Sequence, residues 1–81
     1  MDSITITDAS GSQTYTKPTH IAFVKDMQRI GADVFHYEGS NHYTGPATTP
    51  RDGVTRDEIK KACRVTLLKE RRGRKDIFRP A

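Results

Sequence analysis

Apolar positions recur at helical spacing in one long stretch of the chain. Ile21, Val24, Met27 and Ile30 repeat every three residues, and Ala22 and Phe23 widen the stripe. Lys25, Asp26 and Arg29 are expected to turn away from it. The pattern predicts a helix of roughly three turns beginning near Thr19. Gly31 ends it, since glycine enters the left-handed conformation at low cost at a helix C-terminus.

The pattern then shifts to strand character. Val34 to Tyr37 are β-branched or aromatic, "EGSN" is turn chemistry, and "HYT" resumes the strand before Gly45 and Pro46. Phe35 and Tyr37 share one face of this hairpin, and Val34 and His36 the other. After the loop "TTPRDG", "TRDE" marks a new helix. Thr55 is placed to accept from the backbone N–H of Glu58, with the Glu58 side chain reaching back to the N–H of Thr55. Asp57 adds favourable charge at that positive end. Ile59, Ala62 and Cys63 form a narrow inward stripe, while Lys60, Lys61 and Arg64 face water.

Two continuations compete beyond Arg64. A long basic helix would have to carry Gly73 in its interior, at about 1 kcal/mol. A strand "VTLLKE", a turn "RRGRK" and a last strand "DIFRP" suit Val65, Thr66, Ile77 and Phe78 better, and the hairpin is preferred. The order is then α-β-β-α-β-β: an α+β fold with a small four-stranded antiparallel sheet and two helices on one face. Residues 18–81 form this single domain. Residues 1–17 are read as a flexible N-terminal arm with nothing to pack as core. They are mostly Ser, Thr, Asp, Gly and Gln, although "SITIT" alternates and leaves an edge strand as the alternative.

Composition narrows the function classes. With 81 residues and 33% apolar content the core is small and stability is expected to be marginal. The net charge of +4 is unevenly spread. Residues 51–81 hold eleven Lys and Arg against Asp52, Asp57, Glu58, Glu70 and Asp76, a net +6, while residues 1–50 are net −2. Such asymmetry points to a polyanionic partner for the C-terminal half, or to an acidic protein surface. Cys63 stands alone, which excludes an internal disulfide. No apolar run approaches the ~20 residues of a membrane span, and "MDSITITD" lacks the features of a signal peptide. A cytoplasmic protein with no membrane partner is expected.

"YEGSNHYTGPA" (Tyr37–Ala47), followed by a helix and "ACRVTLLKERRGRKDIFRP" (Ala62–Pro80), resembles a group of small uncharacterised bacterial and phage proteins. These carry an aromatic-x-Gly hairpin, an aromatic-x-Gly-Pro-Ala strand, a short helix and a final hairpin closed by an aliphatic residue and a proline. The matching positions are Tyr37, Gly39, Tyr43, Gly45, Pro46, Ala47, Ala62, Val65, Gly73, Ile77 and Pro80, about half the chain. Lys69 stands where that group usually has Trp, and its final turn is far less basic. The resemblance implies the final hairpin and no particular activity.

No catalytic or metal constellation emerges. His20, His36, His42 and Cys63 lack the paired spacing of a zinc site. The glycines fit neither phosphate-loop pattern, and no cofactor and no enzymatic activity are expected. Phe35, Tyr37 and Tyr43, on adjacent strands, are candidates for stacking on unpaired bases, with Tyr37 and Tyr43 the principal ones, or are core. The basic residues are the principal candidates. Lys69, Arg71, Arg72, Arg74, Lys75 and Arg79 cluster about the last turn, with Lys60, Lys61 and Arg64 on the helix. Arginine suits bidentate phosphate or carboxylate contact, although edge cations also serve simply to prevent aggregation. The expected function is non-enzymatic binding of nucleic-acid backbone. The alternative is a protein-binding modulator, in the phage-encoded style, that docks an acidic surface of a host protein or defence complex.

Overall fold

The computed structural model describes residues 2–81, and it departs from expectation first at the N-terminus. The stretch read as a flexible arm is a hairpin: β1 (Ile4–Asp8) pairs antiparallel with β2 (Gly11–Tyr15). Asp8 fastens the turn, its Oδ1 accepting from the N–H and hydroxyl of Ser10 at 2.8 and 2.5 Å. On one side the Thr5 and Thr14 hydroxyls meet at 2.8 Å, and those of Thr7 and Ser12 at 3.0 Å. On the other, Ile6 and Tyr15 are buried and Ile4 packs against the same core. The polar composition that suggested an arm is thus the solvent side of a strand pair. In a strand every second residue faces out, so Ile4, Ile6 and Tyr15 suffice for the inner side.

Helix α1 (Pro18–Arg29) follows the predicted stripe, with Pro at its first position. Its end is closed by two backbone bonds, Gly31 N–H to Gln28 O at 3.1 Å and Ala32 N–H to Met27 O at 2.9 Å. One polar residue of the helix does not turn away as expected. Asp26 is fully buried, where it accepts from Arg29 Nη1 at 2.8 Å and from the backbone N–H of Arg64 at 3.0 Å. Burial pushes its carboxyl up, but the Arg64 N–H and the Arg29 and Arg64 guanidinium groups outweigh this and hold it below the usual carboxylate range.

Strands β3 (Val34–Glu38), β4 (Thr44–Thr48), β5 (Leu67–Arg72) and β6 (Lys75–Pro80) form the expected antiparallel sheet, in the order β3-β4-β6-β5. The molecule is therefore α+β with two helices and six strands in two antiparallel sheets, of two and four strands. Between β3 and β4 the chain makes a short 3₁₀ turn, Ser40–His42, in which Asn41 and His42 take positive φ. Helix α2 (Arg56–Ala62) begins as predicted, with Thr55 Oγ1 accepting from Glu58 N–H at 3.2 Å. The return bond differs: the Glu58 carboxylate accepts from the Thr55 hydroxyl at 3.3 Å instead of from the Thr55 N–H.

Two apolar clusters divide the sheet's residues. Phe23, Val24 and Met27 of α1, Ile59 of α2, Ile6, Tyr15 and Phe78 make the larger one. Tyr37, Ala47 and Ile77 make the smaller, with Phe35 and Tyr43 against it. Adjacent Ile77 and Phe78 belong to different clusters, as strand alternation requires. Each large side chain so buried contributes about 1.5–3 kcal/mol. The N-terminal hairpin joins this body at β3. Asp8 Oδ2 accepts from the His36 N–H at 2.7 Å, and the Tyr15 hydroxyl meets His36 Nδ1 at 2.7 Å.

Candidate functional site

The last hairpin turns through Gly73 and Arg74 alone, a tighter turn than the five residues "RRGRK" suggested. Gly73 sits at φ 63, at the first central position of the turn, where the twist of two-residue hairpins demands a positive φ. Pairing then fixes which way each cation points. Arg72 lies opposite Lys75, Arg71 opposite Asp76, Glu70 opposite Ile77 and Lys69 opposite Phe78. Residues opposed across a strand pair share a face. Arg72 and Lys75 therefore stand on the Ile77 side, and Lys69 and Arg71 on the Phe78 side, with Arg74 at the tip. All five are exposed.

The electrostatics separate these residues from the other arginines. Arg29 and Arg64 pair with Asp26, Arg51 with Asp33, Arg56 with Asp76 and Arg79 with Glu70. Among the described residues, Lys60, Lys61, Lys69, Arg71, Arg72, Arg74 and Lys75 enter no ion pair. Asp76 faces Arg71 in the strand register, yet its carboxylate reaches Arg56 of α2 at 3.2 Å. The closing rung Arg72–Lys75 sets two like charges directly opposite one another, an arrangement that destabilises a strand pair.

Two predicted contact residues lie elsewhere. Arg79 is not a surface cation. It is 5% exposed, donates from Nε to Glu70 Oε2 at 3.2 Å, and sits 4.5 Å from the Tyr43 ring centroid. Arg64 keeps most of its side chain in water but donates from Nε and Nη2 to Asp26. Of the three predicted stacking rings, Phe35 is half-buried, and Tyr37 and Tyr43 offer no free face. Tyr43 is covered by Arg79, donates its hydroxyl to Pro46 O at 2.6 Å, and meets His20 edge-on. Tyr37 is 8% exposed, with the Arg72 guanidinium 5.3 Å from its centroid.

Glu70 organises this region, a role the sequence reading missed. Its Oε1 accepts from the Ser40 hydroxyl and, at 2.8 Å, from the Ser40 N–H, while Oε2 accepts from Arg79. The Ser40 donors, with the Tyr37 hydroxyl and Arg79, hold its carboxyl at about 2 against the upward push of burial. Gly39 allows this approach, because a Cβ there would collide with the Glu70 carboxylate and the Tyr37 ring. The signal was present in the register. With a two-residue turn, Leu68 opposes Arg79 and Glu70 opposes Ile77, which leaves Glu70 and Arg79 diagonal neighbours on one face.

Among the remaining chemistry-bearing residues, His20 and Cys63 serve packing. His20 is buried beside Tyr15, and burial lowers its affinity for a proton. Cys63 is half-buried, its thiol pushed up by burial and directed at Val65 O. His42 stands exposed on the 3₁₀ turn, and among the described residues no group of His, Cys, Asp and Glu is assembled to hold a metal. No helix among them is long and apolar enough to cross a membrane. In comparisons with known proteins, the chain matches no family model, no curated sequence and no solved structure.

Proposed function

We propose that the protein is a small, non-enzymatic binding module whose C-terminal hairpin and second helix contact the phosphate backbone of nucleic acid. The observation that carries this reading is the division of the cations. Among the described residues the ion pairs use other arginines, and the exposed basic residues of the last hairpin, with Lys60 and Lys61 of α2, are left without acids. A like-charge rung at the hairpin tip costs local stability, and a polyanion would relieve it. The reading takes both helices to lie on the Phe78 side of the sheet. The shared cluster of Phe23, Val24, Met27, Ile59 and Phe78 supports that arrangement. The contact set is Lys60, Lys61, Lys69, Arg71, Arg72, Arg74 and Lys75, without Arg79 and with Arg64 only at its margin.

Fluorescent duplex DNA titrated across a range of salt tests the reading. Log K should fall against log salt with a slope of about −4 to −5 if four to six cations engage phosphates. Replacing Arg71, Arg72, Arg74 and Lys75 together by Ala should flatten that slope by about three to four, roughly one for each lost contact. Absence of binding at the lowest salt would reject the proposal.

A second reading is favoured by the open outer edge of β5. This strand ends the sheet order, pairs only with β6, and carries Leu68 as an exposed apolar residue. An extended acidic segment of another protein could add there as a strand, held by backbone hydrogen bonds and by Lys69 and Arg71. Affinity-purified partners that are lost after charge reversal at Arg72 and Arg74, with no nucleic-acid affinity at any salt, would select this alternative.

A further inference from the structure

The Ile77 side of the sheet bears a hollow of about 290 Å³ lined by Phe35, Tyr37, Thr49, Arg72, Lys75 and Ile77. A second hollow of about 440 Å³ shares Phe35, Thr49 and Lys75 with it and continues past Pro50 and Arg51. The two are parts of one groove. We propose that this groove receives an unpaired nucleobase of a single strand, with Arg72 and Lys75 holding the adjacent phosphate. This rests on the polyanion reading and narrows it from phosphate backbone in general to single strands.

Three chemistries meet in the groove. Its apolar surface comes from Ile77, Tyr37 and the half-buried ring of Phe35, which stands perpendicular to Tyr37 with centroids 6.2 Å apart. The two rings therefore do not stack on one another, and a base can lie against Phe35. The rim is cationic: Arg72 and Lys75 have no ion-pair partner, and the Arg72 guanidinium presents a plane on which a base also stacks. No carboxylate lines the smaller hollow, and Asp33 in the adjoining part is neutralised by Arg51. Thr49 supplies the polar element. Its hydroxyl donates to Asp76 O at 2.8 Å, so what it offers the groove is an acceptor, suited to an amine or imide N–H of a base. An apolar site with a few placed polar groups and an unbalanced positive rim fits a planar, anionic ligand. A base inside a duplex is paired and stacked and cannot enter.

The test uses labelled oligo-dT and oligo-U of about ten nucleotides, within the span of single-strand site sizes, beside a duplex of equal length at fixed salt. Single strands should bind about tenfold more tightly than duplex. Phe35→Ala should weaken single-strand binding about 5- to 100-fold, the loss of one base stack, and leave duplex binding and its salt slope unchanged. Comparison of the dT and U arms shows whether the 2′-hydroxyl matters. The chain has no Trp, so Phe35→Trp adds a single fluorophore whose emission a stacked base should quench. If circular dichroism shows Phe35→Ala unfolded, the Trp variant decides. Single-strand binding without quenching, or equal affinity for duplex and single strands with no effect of Phe35→Ala, would overturn the groove and leave the backbone reading standing. No binding of either form at low salt would remove both.

Discussion

The N-terminal hairpin of β1 and β2 and the C-terminal hairpin of β5 and β6 both turn through two residues, yet their exposed rungs differ in kind. In the first, Thr5 meets Thr14 and Thr7 meets Ser12, so the solvent side satisfies itself with neutral hydroxyl pairs. In the second, Arg72 opposes Lys75, and Arg71 opposes an aspartate already engaged by Arg56. One hairpin spends its polarity internally and uses its apolar side to complete the core. The other commits its two acids, Glu70 to Ser40 and Arg79 and Asp76 to Arg56, and turns uncompensated charge outward. Exposed polar residues in equivalent architecture thus differ in whether they have partners. That distinction separates a covering element from a candidate contact surface.

Four perturbations probe the contrast. The largest effect is expected from Ile6→Ala, which deletes buried atoms of the first hairpin and should cost about 2–5 kcal/mol in urea unfolding. A change near zero would mean that β1 and β2 only lie on the surface. Tyr15→Phe keeps the ring but removes the hydroxyl contact to His36, and a loss of about 0.5–1.5 kcal/mol is expected by the same measurement. In the second hairpin the sign should reverse. Arg72→Glu converts a like-charge rung into an opposite-charge one, so folding should gain about 0.2–1 kcal/mol while low-salt binding to nucleic acid falls. Retained binding would remove Arg72 from the contact surface.

The smallest expected effect is a pH dependence. Glu70 is held at about 2 in the folded protein, below the ~4.3 of an unperturbed glutamate. The stabilisation from this shift is fully present above the unfolded value and is lost as pH falls towards 2. Asp26, also held low, acts in the same direction. Melting temperatures followed from neutral to acidic pH should decline less steeply in Glu70→Gln than in the wild type. Parallel curves would mean that the Ser40 and Arg79 contacts contribute nothing to stability. The difference is small because Glu70 retains access to water.

Regular periodicity and local capping made much of this fold legible. The stripe Ile21–Met27, the Gly31 stop and the Thr55 cap each act within a few residues, and the structure contains them. Strand preference at Val65, Ile77 and Phe78 favoured a final hairpin over a long helix, and the structure has that hairpin. The failures share a cause. An acid on a helix usually faces outward, but the compensating N–H of Asp26 belongs to Arg64, 38 residues away. Arg79 looks like a free cation in the sequence because its acid partner, Glu70, becomes adjacent only in the correct strand register. Hydropathy cannot distinguish a polar strand that covers a core from a linker when Ile4, Ile6 and Tyr15 carry most of the difference. At the candidate site, the cationic character was legible from the sequence. Which cations lack acids, and the hollow beside Phe35, depended on distant pairings.

The buried carboxylate of Asp26 also bears on how the molecule comes apart. Arg29 lies one turn along the same helix and can follow it anywhere, but the Arg64 N–H arrives only when α2 and its following segment have docked. A partly assembled state with α1 packed and the C-terminal third detached would hold a desolvated negative charge short of a donor, a costly arrangement. Such a state is penalised against both the complete fold and the open chain. The C-terminal third and the rest of the molecule should therefore melt together in one transition, with equal calorimetric and van't Hoff enthalpies. In Asp26→Asn the penalty on separation is smaller, and the transition should broaden.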